Sequence, residues 1–316
     1  MAFRLNQQDL ELLTTIAEYR ALCIRQIVTI HQRNAQALRR RLRCLRGQGL
    51  VRIASRGFGE SRGRPEQLVS MSEAGVELLK SKKVLDPDIP TSYVTADRFR
   101  CLDHLLLVND FRGQLAQMQR IDPALAIQFL SPTSPTVSRS LDDRPLVHEK
   151  LQADDVLGRW IEFTPDGVFA ITHAGLGKTV LFFLEVDMGT ETLASPQRIK
   201  LDVRQKIVNY QAYFRLKRYK RYEQIWECSL NGFRLLFLTH GPGRLASLCR
   251  LVQDMPPSDF IWLAERQSLL SKGAWAEIWS RGGRHDVPPQ SILGSQMPES
   301  SPTPVTDRSG EGKTRP

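Results

Sequence analysis

The stretch that most restricts this chain runs from Asn34 to Val51, NAQALRRRLRCLRGQGLV. Ala35, Leu38, Leu42 and Leu45 recur with the 3.6-residue period of an amphipathic helix, so one narrow stripe must be buried. Asn34 suits the cap of that helix, and glycines 47 and 49 supply its stop. The opposite face carries Arg33, Gln36, Arg39, Arg40 and Arg43, flanked by Arg41 and Arg46. From Tyr19 to Gly59 there are ten arginines and no Asp or Glu. A merely solvated face mixes both signs, because opposite charges at i,i+4 support a helix. Guanidinium donates in a planar fork that suits phosphates and base edges, so this helix is expected to read duplex DNA.

The charge balance agrees. The net charge of the 316 residues is +10, and residues 1–90 hold 16 Lys+Arg against 9 Asp+Glu, leaving +3 for the rest. A strongly basic domain followed by a near-balanced one is expected, with a polyanionic partner. Five scattered cysteines without a CxxC argue against a disulfide framework and a zinc site. No apolar run approaches about 18 residues and the N-terminus lacks a signal-length apolar core, so no membrane partner and a cytoplasmic location are expected.

Leu5 to Glu18 reads as a helix capped by Asn6, with Asp9 completing a weak capping box. A short helix from Ile24 to His31 and the arginine helix follow, then strands at Leu50–Ile53 and Gln67–Ser70, and a helix capped by Ser72. Three helices and a two-stranded ribbon form a winged helix-turn-helix pattern over residues 1–83. Arg56, Arg62 and Arg64 on the ribbon loop are then candidate phosphate contacts, or else ordinary solvated loop charges. Residues 84–95 read as a proline-bearing linker, residues 96–281 as an α/β or α+β domain with a mixed central sheet, and residues 282–316 as a disordered tail, an α+β chain taken whole. The segment 139–158 carries no clear signal.

Three carboxylates stand out in the second domain. Asp166 lies in TPDGVF, and Glu185 and Asp187 end the apolar strand LFFLEVD. Strand residues two apart share a face, and a neighbouring strand can bring Asp166 beside them. Clustered carboxylates need a counter-charge, and Mg²⁺ or Mn²⁺ is a usual one. The alternatives are hairpin chemistry for Pro165-Asp166-Gly167 and a solvent-reaching strand end for the other two. Glu191 is either a fourth ligand or the start of a loop, and His104, in LDHLLLVNDF, reads more readily as a core histidine than as a ligand.

The combination of RRRLRCLRGQGLV, LDHLLLVNDF, TPDGVF, LFFLEVDMGTE and KIVNYQAYF resembles the replication-relaxation family of plasmid and mobile-element proteins. That resemblance implies a winged helix-turn-helix joined to a restriction-endonuclease-like PD-(D/E)XK domain, with Asp166 and Glu185 in the motif. Where an active nuclease carries lysine, two residues after Glu185, this chain has Asp187. Lys206, or with less support Lys200, could supply the cation from the following helix, where Lys206 shares a face with Tyr210 and Tyr213. Asp166, Glu185, Asp187 and Lys206 are thus the candidate catalytic set, with a divalent metal and no small-molecule cofactor. Two functions stay open: a Mg²⁺-dependent DNA-cutting or nicking protein of plasmid replication or mobilisation, and a non-catalytic regulator. In the latter the second domain clamps DNA or makes a homodimer.

Overall fold

Asn6 and Asp9 close the start of the first helix reciprocally. The Asn6 side chain accepts the Asp9 N–H at 2.9 Å and the Asp9 carboxylate accepts the Asn6 N–H at 2.8 Å. The computed structural model describes residues 4–55, 66–95, 101–140, 143–152, 158, 160–194 and 202–294. The first elements are α1 (Gln7–Tyr19), β1 (Ala21–Cys23), α2 (Ile24–His31) and α3 (Ala35–Gly47). They are followed by β2 (Val51–Ser55), β3 (Gln67–Met71), α4 (Glu73–Ser81) and the single turn α5 (Thr91–Val94). The three strands form one antiparallel sheet in the order β1-β3-β2. β1 was not expected, because three residues, Ala-Leu-Cys, are too few to show an alternation.

The leucine stripe of α3 is the buried one. Leu38, Leu42 and Leu45 pack into a core with Leu13, Ile16 and Ile27, each burial contributing about 1.5–3 kcal/mol. Asn34 caps α3 by accepting the N–H groups of Gln36 and Ala37 at 2.9 and 3.2 Å, worth about 1 kcal/mol. The stretch expected to be a linker instead joins this core: Leu85 and Val94 are buried in it. Proline lowered its apparent structure, while its few apolar residues point inward. Arg56, Arg62 and Arg64 lie outside the described residues.

The second part of the chain contains α6 (Leu102–Ile121), β4 (Leu125–Leu130), β5 (Glu149–Gln152), β6 (Trp160–Phe163), β7 (Gly167–His173) and β8 (Lys178–Asp187). Then come α7 (Val203–Arg215), α8 (Tyr222–Trp226), β9 (Phe233–Thr239), α9 (Pro242–Gln253), β10 (Ile261–Glu265), α10 (Arg266–Lys272) and β11 (Ser280–Arg281). Six strands make a mixed sheet in the order β11-β10-β9-β8-β7-β4. β8, β9 and β10 are parallel, and the outer pairs are antiparallel. Parallel neighbours need long crossovers, and α7 and α9 supply them on one face. α6 and α10 cover the other face. β5 and β6 form a separate two-stranded ribbon. The architecture is therefore α+β with a mixed central sheet, as the sequence pattern leads one to expect.

Disorder from Gly282 onward is corrected for residues 282–294. Gln253 donates to the Gly283 carbonyl at 2.7 Å, Gln290 pairs with Trp279, and Ile292 is fully buried. Ile292 and Leu293 pack on the core beneath α6 and α10, and Ser291 donates to the Trp275 carbonyl, contacts that a Pro/Ser-rich composition hides.

α6 joins the two parts. Arg25 of α2 grips Asp110 through two hydrogen bonds of 2.6 and 2.8 Å, and Gln26 donates to the same carboxylate at 2.7 Å. Asn109 donates to the carbonyls of Tyr19 and Ala21, and Arg112 donates to Glu18 at 2.7 Å while lying 3.8 Å from the Tyr19 ring centroid. A polar, interlocked contact of this kind fixes orientation better than an apolar one, since each buried charge needs its own partner.

Candidate functional site

Two places concentrate chemistry. On α3, the outward positions are Gln36, Arg39, Arg40, Arg43 and Arg46, all exposed. Their neighbours differ: Arg41 binds Asp9, and Arg33 lies 3.8 Å from Glu11. Arg41 and Arg33 are thus tied down by α1, whereas no carboxylate among the described residues pairs with Arg39, Arg40, Arg43 or Arg46. Helix periodicity accounts for Arg41, which flanks the leucine stripe, whereas Arg33 precedes the Asn34 cap and reaches Glu11 from outside the helix.

The second place is the C-terminal end of β8, where parallel strands of an α/β sheet usually present their ligands. β7 pairs with β8 so that Gly167 faces Leu184, and one step further Asp166 falls opposite Glu185. The Asp166 N–H donates to the Leu184 carbonyl at 3.0 Å, and the Asp166 carboxylate accepts the Val186 N–H at 2.8 Å. Gly167 does not serve a positive-φ turn. A Cβ there would lie 2.1 Å from the Phe129 ring, so glycine is needed for close packing beside Asp166. The carboxylate, not the glycine, is the feature that hairpin chemistry leaves unexplained.

Helices from both faces of the sheet converge on this pair. From α7, Lys206 and Tyr210 are one turn apart and share a side. Lys206 Nζ lies 3.3 Å from Glu185 Oε2 and 2.9 Å from Glu191 Oε2, and the Tyr210 hydroxyl donates to Glu185 Oε1 at 2.6 Å. From α6, His104 Nε2 stands 3.0 Å from Asp166 Oδ2. Asp187 takes other partners: Arg244 of α9 donates to its Oδ2 at 2.7 Å and the Gly189 N–H to its Oδ1 at 2.7 Å. Among the described residues no group of three or more His, Cys, Asp or Glu is disposed to hold a metal ion. Lys200 lies outside the described residues.

Burial pushes the Glu185 carboxyl up to about 7; Lys206 opposes the rise and the charge of Asp166 adds to it. Burial disfavours the charged forms of Lys206 and His104, yet Glu185 and Glu191 raise the lysine, and Asp166 raises the histidine, above their ordinary values. Near neutral pH, Lys206 is therefore a fixed cation, and Glu185 is poised to take up or release a proton. A hard-oxygen pair of this kind suits Mg²⁺ or Mn²⁺, with the lysine beside it fit to stabilise phosphate charge.

Tyr210 reads in the sequence as packing, but it also holds Glu185. His104 proves to be neither a plain core residue nor isolated from the carboxylates. Arg244 gives no sequence signal, because its reach to Asp187 depends on the β9–α9 crossover bringing it back over β8. The available clue to His104 was an imidazole among the leucines of LDHLLLVNDF, on α6.

The Replication-relaxation family model matches residues 13–227, a span that holds α3, α6, Asp166, Glu185, Asp187 and Lys206. No curated protein and no solved structure matches the chain. Among the described residues no helix is long and apolar enough to cross a membrane. With the match covering well over half of its length, the chain belongs to the replication-relaxation family.

Proposed function

We propose that this is a duplex-DNA-binding protein acting in plasmid or mobile-element replication, with residues 1–83 as a winged helix-turn-helix and α3 as its recognition helix. The observation that carries this reading is the row of exposed arginines on α3 without carboxylate partners among the described residues. In such folds the third helix enters the major groove, and the loop between the ribbon strands (here bearing Arg56, Arg62 and Arg64) touches the backbone. A homodimer would place two such helices on a palindromic site. Fluorescence anisotropy on a labelled duplex library tests the reading: the wild type should bind with a steep salt dependence. An Arg39→Ala, Arg43→Ala variant with the same isotherms would remove α3 from the interface.

The second unit is proposed to be a PD-(D/E)XK-like domain in which Asp166 and Glu185 would hold Mg²⁺ or Mn²⁺, joined by Asp187 if Arg244 is displaced. A metal bound there supplies Lewis-acid stabilisation of a phosphoryl group and an activated water. The protein's own part is to hold Asp166 through His104, Glu185 through Tyr210, and a phosphate charge through Lys206. A non-catalytic second unit, used for clamping or dimerisation, has its own support: Lys206 and Arg244 already neutralise Glu185 and Asp187. Supercoiled plasmid incubated with Mg²⁺ or Mn²⁺, and then with EDTA, separates the two. Metal-dependent nicking lost in Glu185→Ala supports the first reading, and intact plasmid supports the second.

A further inference from the structure

We infer that the second unit carries its own contact surface for single-stranded DNA, centred on Trp160 and the basic turn that follows α7. Trp160 is 62% exposed, the largest exposure among the large apolar side chains of the described residues. An indole left in water needs an explanation, and its surroundings supply one. It stands on the outer face of the β5–β6 ribbon, where the Lys150 ammonium lies over one face of the ring, 5.0 Å from its centroid, and pairs with Glu162 at 2.8 Å, so a base would stack on the opposite face. An aromatic plane beside a cation is what an unpaired base and its phosphate require, because every base has a face to stack and every linkage a charge.

The turn that follows α7, which meets the ribbon at its Glu149–Phe163 end, carries further charge. Arg215, Lys217, Arg218, Lys220 and Arg221 are exposed, while Tyr219 among them and Tyr222 just after them are buried. Arg221 locks this turn to the ribbon. It donates to Glu149 at 3.1 Å and to the Leu146 carbonyl at 2.7 Å, and Tyr222 donates to Glu149 at 2.7 Å. The carboxylates nearby are engaged locally: Glu162 by Lys150 and Arg144, Glu223 by Lys220. No carboxylate among the described residues pairs with Arg215, Lys217 or Arg218. Ordinary solvation explains a charged turn, but not a charged turn anchored to a ribbon that displays a tryptophan.

Along the chain the carboxylate pair is near. Trp160 stands six residues before Asp166, so the two are at most roughly 20 Å apart along extended chain. A strand opened near the α3 site would then be held beside Asp166 and Glu185. This inference rests on the reading of the chain as a DNA-binding protein.

Anisotropy with labelled oligothymidine and with a duplex of equal length tests it on the full chain. Trp160→Ala should weaken oligothymidine binding on the order of tenfold and leave the duplex isotherm unchanged, while Trp160→Phe retains most of the affinity. Lys217→Ala with Arg218→Ala should lower the salt slope for the single strand by about 0.7 per lost contact. Trp160 is exposed, so both Trp160 variants should melt as the wild type does. Duplex binding without oligothymidine binding would overturn this inference alone, as would an unaltered Trp160→Ala isotherm. Loss of oligothymidine binding on replacing Arg39 and Arg43 would also overturn it, by moving the single strand to α3. Absence of binding to either DNA would overturn the DNA-binding reading as well.

Discussion

The arginine face of α3 and the carboxylate end of β8 are both rich in charge, but they handle it in opposite ways. On α3 the cations opposite the leucine stripe have no acidic partner among the described residues and stand in water. At β8 every carboxylate has a protein donor: Lys206 and Tyr210 for Glu185, His104 for Asp166, Arg244 for Asp187. An open row of like charge raises the free energy of the isolated protein slightly and is relieved by a polyanion. A closed cluster is already relieved, and any ligand must displace a residue to enter. The first region leaves its charge open to solvent, and the second satisfies its charge within the protein.

Between them sits Asp110, whose side chain is 1% exposed and which takes Arg25 and Gln26 from the first region. Asp110→Ala removes the bidentate partner of Arg25, which is 42% exposed and keeps Glu66 at 3.4 Å, a change of about 1–3 kcal/mol. It should lower the melting temperature while keeping one transition, as scanning calorimetry would record. Two separate transitions in the wild type would instead mean that the regions fold independently and the contrast is one between loosely joined domains.

The closed cluster makes a prediction in pH. The folded-state pKa of Glu185 is raised to about 7 from the usual 4.5. Its contribution is thus fully present below about 4.5 and is lost as pH rises through 7. Glu185→Gln should remove that slope, so that the variant gains on the wild type by up to a few kcal/mol as pH rises from about 4.5 to about 7. Parallel urea midpoints across this range would show the carboxylate to be less buried than its contacts indicate.

The open face is expected to respond differently, and adjacent residues of one helix make the comparison sharp. Arg39→Ala and Arg43→Ala should each weaken specific DNA binding by about 1–3 kcal/mol with no change in melting. Arg41→Ala should do the reverse, because its guanidinium is committed to Asp9. Affinity losses of equal size at all three positions would erase the distinction between partnered and open arginines.

How much of this could be read in advance follows from the range of each interaction. The α3 face was legible because helix period, cap and charge all lie within 18 consecutive residues. The strands of the mixed sheet were legible as apolar runs, and Lys206 as a candidate because it lies one turn from Tyr210. Asp187's attachment to Arg244 spans 57 residues and passes through a crossover, so no local pattern reports it. The same holds for Arg25 with Asp110, 85 residues apart. Ile292 was hidden by the Pro/Ser/Gly-rich composition around it, and β1 by its shortness. Local periodicity finds surfaces; which charges are spent on each other depends on topology.

The smallest effect expected is also the one that asks whether the closed cluster can open. If Mg²⁺ enters beside Asp166 and Glu185, it must take the place that Lys206 occupies, and it must meet Glu185 as a carboxylate. With Glu185 near 7, part of that population is protonated at neutral pH, so metal binding should release a fraction of a proton. Titration calorimetry in buffers of different ionisation enthalpy measures this directly, and the release should shrink well above pH 7. Lys206→Met removes the competing cation and should tighten Mg²⁺ binding, whereas Glu185→Gln should abolish the proton release. Binding without proton release, or weakened by Lys206→Met, would place the ion elsewhere and leave the β8 cluster as a structural ion-pair network.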